Sequence, residues 1–169
     1  MKILLVGSGG REHALAWKIS RSPLLTKLYA APGNAGIADF AECVDINADN
    51  LEGLLEFAKK NAIDLTVVGP EGPLCKGIVN LFQDNGLKIF GPTREAAELE
   101  GSKVFCKNLL RRYGIPTANY RVFNQAKSAL QFVKSSQFPV VLKAHRLARG
   151  RDFLWLIKQI PSRPQVECL

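Results

Sequence analysis

The 169-residue chain predicts an α/β fold: one doubly wound parallel sheet, then the start of a second domain. Three observations carry this. Short apolar runs alternate with segments of helical periodicity, the pattern of strand–helix–strand crossovers. The run Asp64–Val68 is apolar on both sides, as in a strand covered on both faces. Glycine- and proline-rich loops follow the strand ends, where an open parallel sheet lines its ligand crevice.

Each element has its own signal. Lys2–Val6 reads as a strand and Arg11–Ile19 as a helix, with Leu15 and Ile19 spaced four apart. Lys27–Ala31 is a second strand. Asn50–Lys60 is helical, with Leu51, Leu54, Leu55 and Ala58 on one face. Asp64–Val68 is a third strand. Pro73–Asn85 reads as one helix with proline in its first turn, which that position tolerates, and Lys88–Phe90 as a short fourth strand. Gly91-Pro92-Thr93 marks a domain boundary, with Thr93 capping a helix through Leu99. Ser102 caps Lys103–Tyr113, and Gly114 and Pro116 stop it. A strand Tyr120–Phe123, a helix Asn124–Ser136 with Ala129, Phe132 and Val133 inward, and a strand Phe138–Ala144 follow.

Composition narrows the function classes. With 47% hydrophobic and 22% charged residues the chain is ordinary for a soluble globular protein. No apolar run approaches the roughly 20 residues of a membrane helix. Met1–Gly7 is read as a buried first strand rather than a signal peptide, since Gly7 follows at once and no cleavage-site pattern does. Cys43, Cys75, Cys106 and Cys168 have no metal spacing, and neither His13 nor His145 joins a ligand cluster. No metal site is expected; free thiols in a cytoplasmic protein are. The net charge of +8 includes +3 from residues 145–169, and the rest is dispersed without aromatic interleaving. A phosphate-bearing small substrate therefore fits better than nucleic acid.

The turn Gly7-Ser8-Gly9-Gly10-Arg11-Glu12-His13 follows a strand and opens a helix. Free N–H groups at such a helix start favour an anion. A dinucleotide fingerprint needs a third glycine where Glu12 stands, and an acid after the second strand, which instead ends Ala30-Ala31-Pro32. A dehydrogenase is disfavoured, while a phosphate site and a ligand-free tight turn both stay open on this motif. Further loops at Pro32–Gly36, Gly69–Pro73 and Gly91–Thr93 bring Asn34 and Glu71 to the same sheet edge, which favours a small-molecule site.

Together, Gly7–Leu15, Pro32–Gly36, Val68–Leu74 and Gly101-Ser102-Lys103 resemble the phosphoribosylamine–glycine ligases (glycinamide ribonucleotide synthetases), an ATP-grasp family of purine synthesis. The resemblance runs nearly continuously over residues 1–144. It implies a Rossmann-like pre-ATP-grasp domain over 1–100, the start of an ATP-grasp domain over 101–144, and an aberrant tail over 145–169. It implies this chemistry: ATP phosphorylates the carboxylate of glycine, and the amine of 5-phosphoribosylamine attacks the glycyl phosphate. Glycinamide ribonucleotide, ADP and phosphate result. By the resemblance Gly9, Gly10, Arg11 and His13 help hold the ribosylamine phosphate, Asn34 and Glu71 face the ribose or amine, Gly36 belongs to the same substrate-binding set, and Lys103 and Lys143 meet ATP phosphates. His13 as a packed surface histidine and Lys143 as a solvated edge lysine are the structural alternatives. ATP and Mg2+ (or Mn2+) are the cofactors of the full-length family, which is usually monomeric; its metal ligands are absent from this chain.

After Lys143-Ala144 the family continues Asp-Gly-Leu-Ala-Ala-Gly-Lys-Gly, a loop over the ATP phosphates. This chain reads His145-Arg146-Leu147-Ala148-Arg149-Gly150-Arg151-Asp152. If the original codons were GCG GGG AAG GGA TTT TTT GTG GTT, loss of one G from the first yields CGG GGA AGG GAT TTT TTG TGG. That encodes Arg149 to Trp155 as written. The hypothesis is that residues from Arg149 onward are out of frame; His145 and Arg146 need separate changes. Resequencing the gene from the codon of Val140 through that of Leu169 and beyond the stop tests it: no long ATP-grasp frame restored by one inserted base would overturn it. Three readings stay open: an inactive fragment of the ligase, a non-catalytic module that binds a phosphoribosyl ligand, and a non-functional pseudogene product poorly folded past Ala144.

Overall fold

A computed structural model describes residues 1–137, 140–143 and 153–156. The chain divides into two compact units, Met1–Cys106 and Lys107–Leu169.

The first unit is a five-stranded, wholly parallel sheet. Its strands are β1 (Lys2–Gly7), β2 (Lys27–Pro32), β3 (Glu42–Cys43), β4 (Leu65–Val68) and β5 (Ile89–Phe90). The spatial order is β3-β2-β1-β4-β5. β1 is central, paired with β2 from Lys2↔Lys27 to Gly7↔Pro32 and with β4 from Ile3↔Leu65 to Val6↔Val68. Alternation along β1 feeds two cores. Leu4 and Val6 join Leu54, Ile78, Val79 and Phe82 on one face. Ile3 and Leu5 join Ala16, Leu28, Ala30 and Ile37 on the other. Each large apolar side chain so buried contributes about 1.5–3 kcal/mol. The strand order turns back between β1 and β4, and this is where parallel sheets of this type open a crevice.

The helices show where local pattern and packing agree. α2 (Leu51–Lys60) is capped by Asn50, whose Oδ1 accepts from the Gly53 N–H at 3.1 Å, and it buries Leu54, Leu55 and Ala58 as expected. α1 (Gly10–Ser20) departs from expectation: its buried residues are Glu12 and Ala16, while Leu15 is 37% exposed. Small Ala16 lets the helix lie close on the sheet, so the inward stripe is one residue out of phase with Leu15. The single helix expected over Pro73–Asn85 is two, α3 (Glu71–Cys75) and α4 (Ile78–Asp84), broken at Gly77 with φ of +91°. That backbone is open to glycine and strained for other residues. The two-residue edge strand β3 carries no alternation long enough to be read from sequence.

α5 (Arg94–Gly101) follows Thr93 as expected, but Thr93 makes no side-chain cap bond. Asn80 Oδ1 caps instead, accepting from the Arg94 N–H at 2.9 Å. α6 (Lys103–Arg112) is capped by Ser102, whose Oγ accepts from the Phe105 N–H at 3.1 Å. Gly114, at φ +64°, ends it, and the Ile115 N–H returns to the Leu110 carbonyl at 2.9 Å.

In the second unit α7 (Ala126–Ser135) keeps Ala129, Phe132 and Val133 half-buried on one face. The strand expected at Tyr120–Phe123 is absent. No neighbouring strand pairs with it among the described residues; side chains hold the loop instead. Tyr120 donates its hydroxyl to Asn108 Oδ1, and Lys107 Nζ donates to Thr117 Oγ1 at 2.6 Å. β6 (Val140–Lys143) pairs antiparallel with β7 (Phe153–Leu156), from Val140↔Leu156 to Lys143↔Phe153. β7 falls inside the tail read as aberrant, and its four residues, all apolar, pair along the whole of β6. The remainder of 145–169 lies outside the described residues.

Candidate functional site

The site is built where the loops after β1, β2 and β4 meet at one end of the sheet. Gly7, at φ +127°, turns the chain out of β1, and α1 starts three residues later. The first helical hydrogen bond runs from the His13 N–H to the Gly9 carbonyl at 3.0 Å. The N–H groups of Gly10, Arg11 and Glu12 therefore have no acceptor within the helix. Gly10 is distinctive. Among the described glycines, it alone combines an ordinary backbone with nothing within 4 Å of an added Cβ. The fold does not require glycine there.

Arg11 reaches across to the loop after β4, where its Nη1 meets Glu71 Oε1 at 2.9 Å. The Arg11 side chain is 64% exposed and that of Glu71 28%. The hydrogen bond from Arg11, together with the backbone N–H at the start of α3, holds the Glu71 carboxyl below the usual carboxylate range. Glu71 in turn raises the Arg11 guanidinium through the same hydrogen bond and its charge. A cation and an anion thus face each other across the crevice.

The loop after β2 is tied in by Asn34. Its Nδ2 donates to the Ser8 carbonyl at 2.7 Å, and its Oδ1 accepts from the Ile37 N–H at 2.9 Å. The Asn34 amide therefore acts as a brace between loops. Gly36 makes room for the His13 ring: a Cβ there would lie 2.7 Å from His13 Cε1. That ring also packs on Phe40, with centroids 5.8 Å apart. The packed-histidine alternative accounts for these contacts of His13.

Of the residues singled out in the sequence, Gly9, Gly10, Arg11, His13, Asn34, Gly36 and Glu71 are brought together in the first unit. Lys103 opens α6. Lys143 closes β6, and its side chain lies outside the described part of the structure. Sequence reasoning missed Glu12 as a structural residue. Its Oε2 accepts from the Gly9 N–H at 2.6 Å, the back-bond of a capping box, and a Glu three residues after the N-cap is a readable signal for it. It also missed Trp17 and Phe40, which with Gly10, His13 and Ala14 line a shallow apolar depression beside the helix start. No group of three or more His, Cys, Asp or Glu is placed to hold a metal among the described residues, and no helix there is long and apolar enough to cross a membrane.

Comparison with known proteins bears on the family and the fold. The sequence model described as "Phosphoribosylglycinamide synthetase, N domain" matches residues 1–100, and "Phosphoribosylglycinamide synthetase, ATP-grasp (A) domain" matches residues 101–159. The second match runs beyond Ala144, through β7. The phosphoribosylamine–glycine ligase of Clostridium acetobutylicum is 52% identical over 151 residues, covering 89% of this chain and 36% of the relative. That of Xanthomonas campestris is 54% identical over 156 residues, covering 91% and 36%. The chain thus spans little more than a third of the length of these relatives. The crystal structure of the Thermotoga maritima phosphoribosylamine–glycine ligase superposes with a TM-score of 0.69 at 30% identity, covering 92% of this chain and 36% of that one. N5-carboxyaminoimidazole ribonucleotide synthetase from Thermus thermophilus shares the fold, with a TM-score of 0.64 at 20% identity over 94% and 41% of the two chains. With both family models in sequence order and the glycine-rich turn, Arg11 and Glu71 assembled at the sheet's switch point, the chain belongs to the phosphoribosylglycinamide synthetase family.

Proposed function

We propose that residues 1–100 bind the phosphoribosyl part of 5-phosphoribosylamine, as the substrate-holding portion of the ligase reaction that joins it to glycine at the expense of ATP. The observation that carries this reading is the open face of Gly10. A glycine that the fold does not need, beside three free helix-start N–H groups and the Arg11 guanidinium, suits close approach of a phosphate to backbone. Gly9, Gly10 and Arg11 hold the phosphate. Glu71 accepts hydrogen bonds from ribose hydroxyls or the amine. Asn34, Gly36 and His13 keep the loop after β2 in place, and so act on the ligand through position.

Lys103 and Lys143 are assigned to the ATP phosphates on the strength of the family resemblance, within an ATP-grasp portion running from residue 101. ATP supplies the phosphoryl group that activates the glycine carboxylate. Among the described residues no group of three or more His, Cys, Asp or Glu is placed to hold magnesium. These 169 residues span little more than a third of the length of the relatives. The chain by itself is proposed to bind and not to turn over.

Isothermal titration of the purified chain with ribose 5-phosphate tests the reading, alongside phosphate release in the presence of ATP, glycine and phosphoribosylamine. Saturable binding without phosphate release is expected. Absence of saturable binding would sink the assignment of the site. Turnover at an ordinary enzymatic rate would sink the non-catalytic reading.

A further inference from the structure

We infer that Glu12 is a positioning residue, a buried tie that locks the loop after β1 to the loop after β4. The inference rests on the phosphoribosyl reading above for its functional consequence. Its structural half stands without that reading.

Glu12 is 3% exposed, the buried ionisable side chain among the described residues. It stands where a dinucleotide-binding turn would carry its third glycine, the residue that lets helix and strand pack closely. This chain inverts that solution. The helix carries a long carboxyl side chain, and the surrounding backbone is stripped to receive it. A Cβ added at Gly7 would lie 2.7 Å from Glu12 Cγ and 2.8 Å from its Cδ. One added at Gly9 would lie 2.8 Å from Oε2. One added at Gly69 would lie 2.6 Å from Cδ and collide with Oε1. Three glycines from two separate loops thus enclose one carboxyl group.

The bonding is lopsided. Oε2 holds the Gly9 N–H at 2.6 Å, while Oε1 is buried with no hydrogen-bond partner among the described residues. A buried polar oxygen left unpaired costs stability. The placement at the first turn of α1 offsets part of that cost through the helix dipole. What the arrangement supplies is registry: Oε1 seats against Gly69, one residue before Pro70 and two before Glu71, while Oε2 fixes Gly9 beside Gly10 and Arg11.

The same two loops are joined a second time by the Arg11–Glu71 ion pair. That contact is exposed, and a phosphate drawing on Arg11 would compete with it. Glu12 is out of the ligand's reach and remains when the outer pair opens. It is therefore the contact that keeps Gly10, Arg11 and Glu71 in register during binding.

The test uses the full 169-residue chain with Glu12→Ala and Glu12→Gln. Amide hydrogen exchange and ribose 5-phosphate affinity are read together. In Glu12→Ala, exchange over Gly9–Arg11 and over Gly69–Glu71 should rise together by about tenfold or more, while α2 stays protected. Ribose 5-phosphate should bind about tenfold more weakly although Arg11 and Glu71 are intact. Glu12→Gln keeps an acceptor for Gly9 and the same length, so it should recover most of both, and it serves if the alanine variant fails to fold. Loosening of one loop alone, or an equal rise everywhere, would overturn the tie. Wild-type affinity in Glu12→Ala despite two loosened loops would overturn the positioning role. If the wild type binds no ribose 5-phosphate while both loops still loosen, the phosphoribosyl reading fails and the tie stands.

Discussion

Replacing Gly7 and Gly10 by alanine separates a glycine the fold needs from one proposed to serve a ligand. At Gly7 the backbone sits at φ +127°, where L residues are strained. Holding a non-glycine residue in such a region costs about 1–3 kcal/mol. The new Cβ would also lie 2.7 Å from Glu12 Cγ and 2.9 Å from Pro70 Cδ, and neither neighbour is the free end of a flexible side chain. Overpacking of that kind costs a further 1–3 kcal/mol or so. The sum, about 2–6 kcal/mol, is a large part of the 5–15 kcal/mol that stabilises a typical domain. At Gly10 the added methyl meets nothing within 4 Å, and alanine is the better helix former, so stability should hold or rise by up to about 1 kcal/mol. Urea titrations followed by far-ultraviolet circular dichroism read both. With an m value of about 2 kcal/mol/M, Gly7→Ala should lower the midpoint by roughly 1–3 M, and Gly10→Ala should leave it in place or raise it slightly. Ribose 5-phosphate titration of Gly10→Ala should nonetheless show weakened binding. A Gly7→Ala midpoint equal to wild type would refute the strain and packing reasoning. Undiminished binding by Gly10→Ala would refute the close-approach reasoning.

Two further outcomes follow from single side chains. The Glu71 carboxyl is held below its ordinary value by Arg11, so its contribution is complete above the ordinary carboxylate value and is lost as the pH falls through the lowered folded value. The pair is partly exposed, so this amounts to about 0.2–1 kcal/mol, and Glu71→Gln should flatten the acid limb of a stability–pH curve by that much; an unchanged acid limb would show that the pair contributes nothing. Thr66 on β4 is 1% exposed with a hydroxyl that finds no partner among the described residues, so Thr66→Val should raise the stability by about 1 kcal/mol, and a lowered melting temperature would show that the hydroxyl is bonded after all.

Much of the fold was readable because its signals are local. An apolar run ending in glycine makes β1, and an Asn cap with apolar residues three and four apart makes α2. Ser102 and Gly114 bracket α6 as their chemistry requires. The elements that sequence missed are those set by a neighbour. β3 exists because Tyr29 and Ala30 on β2 offer it a partner. Tyr120–Phe123 remains a loop because no strand meets it among the described residues. Asn80, far from Arg94 in sequence, takes over a cap that Thr93 was expected to supply.

The site divides along the same line. The order of the motifs Gly7–Leu15, Pro32–Gly36, Val68–Leu74 and Gly101-Ser102-Lys103 determined the family, because motif order and residue type are visible in one dimension. Only the tertiary structure decided their contacts: it ties Asn34 to Ser8 and packs His13 against Gly36 and Phe40, joins Arg11 to Glu71 across sixty positions, and places Glu12 inside a socket of three glycines. Such contacts depend on distances between segments remote in sequence, and those distances are set by the parallel pairing of β1 with β2 and β4.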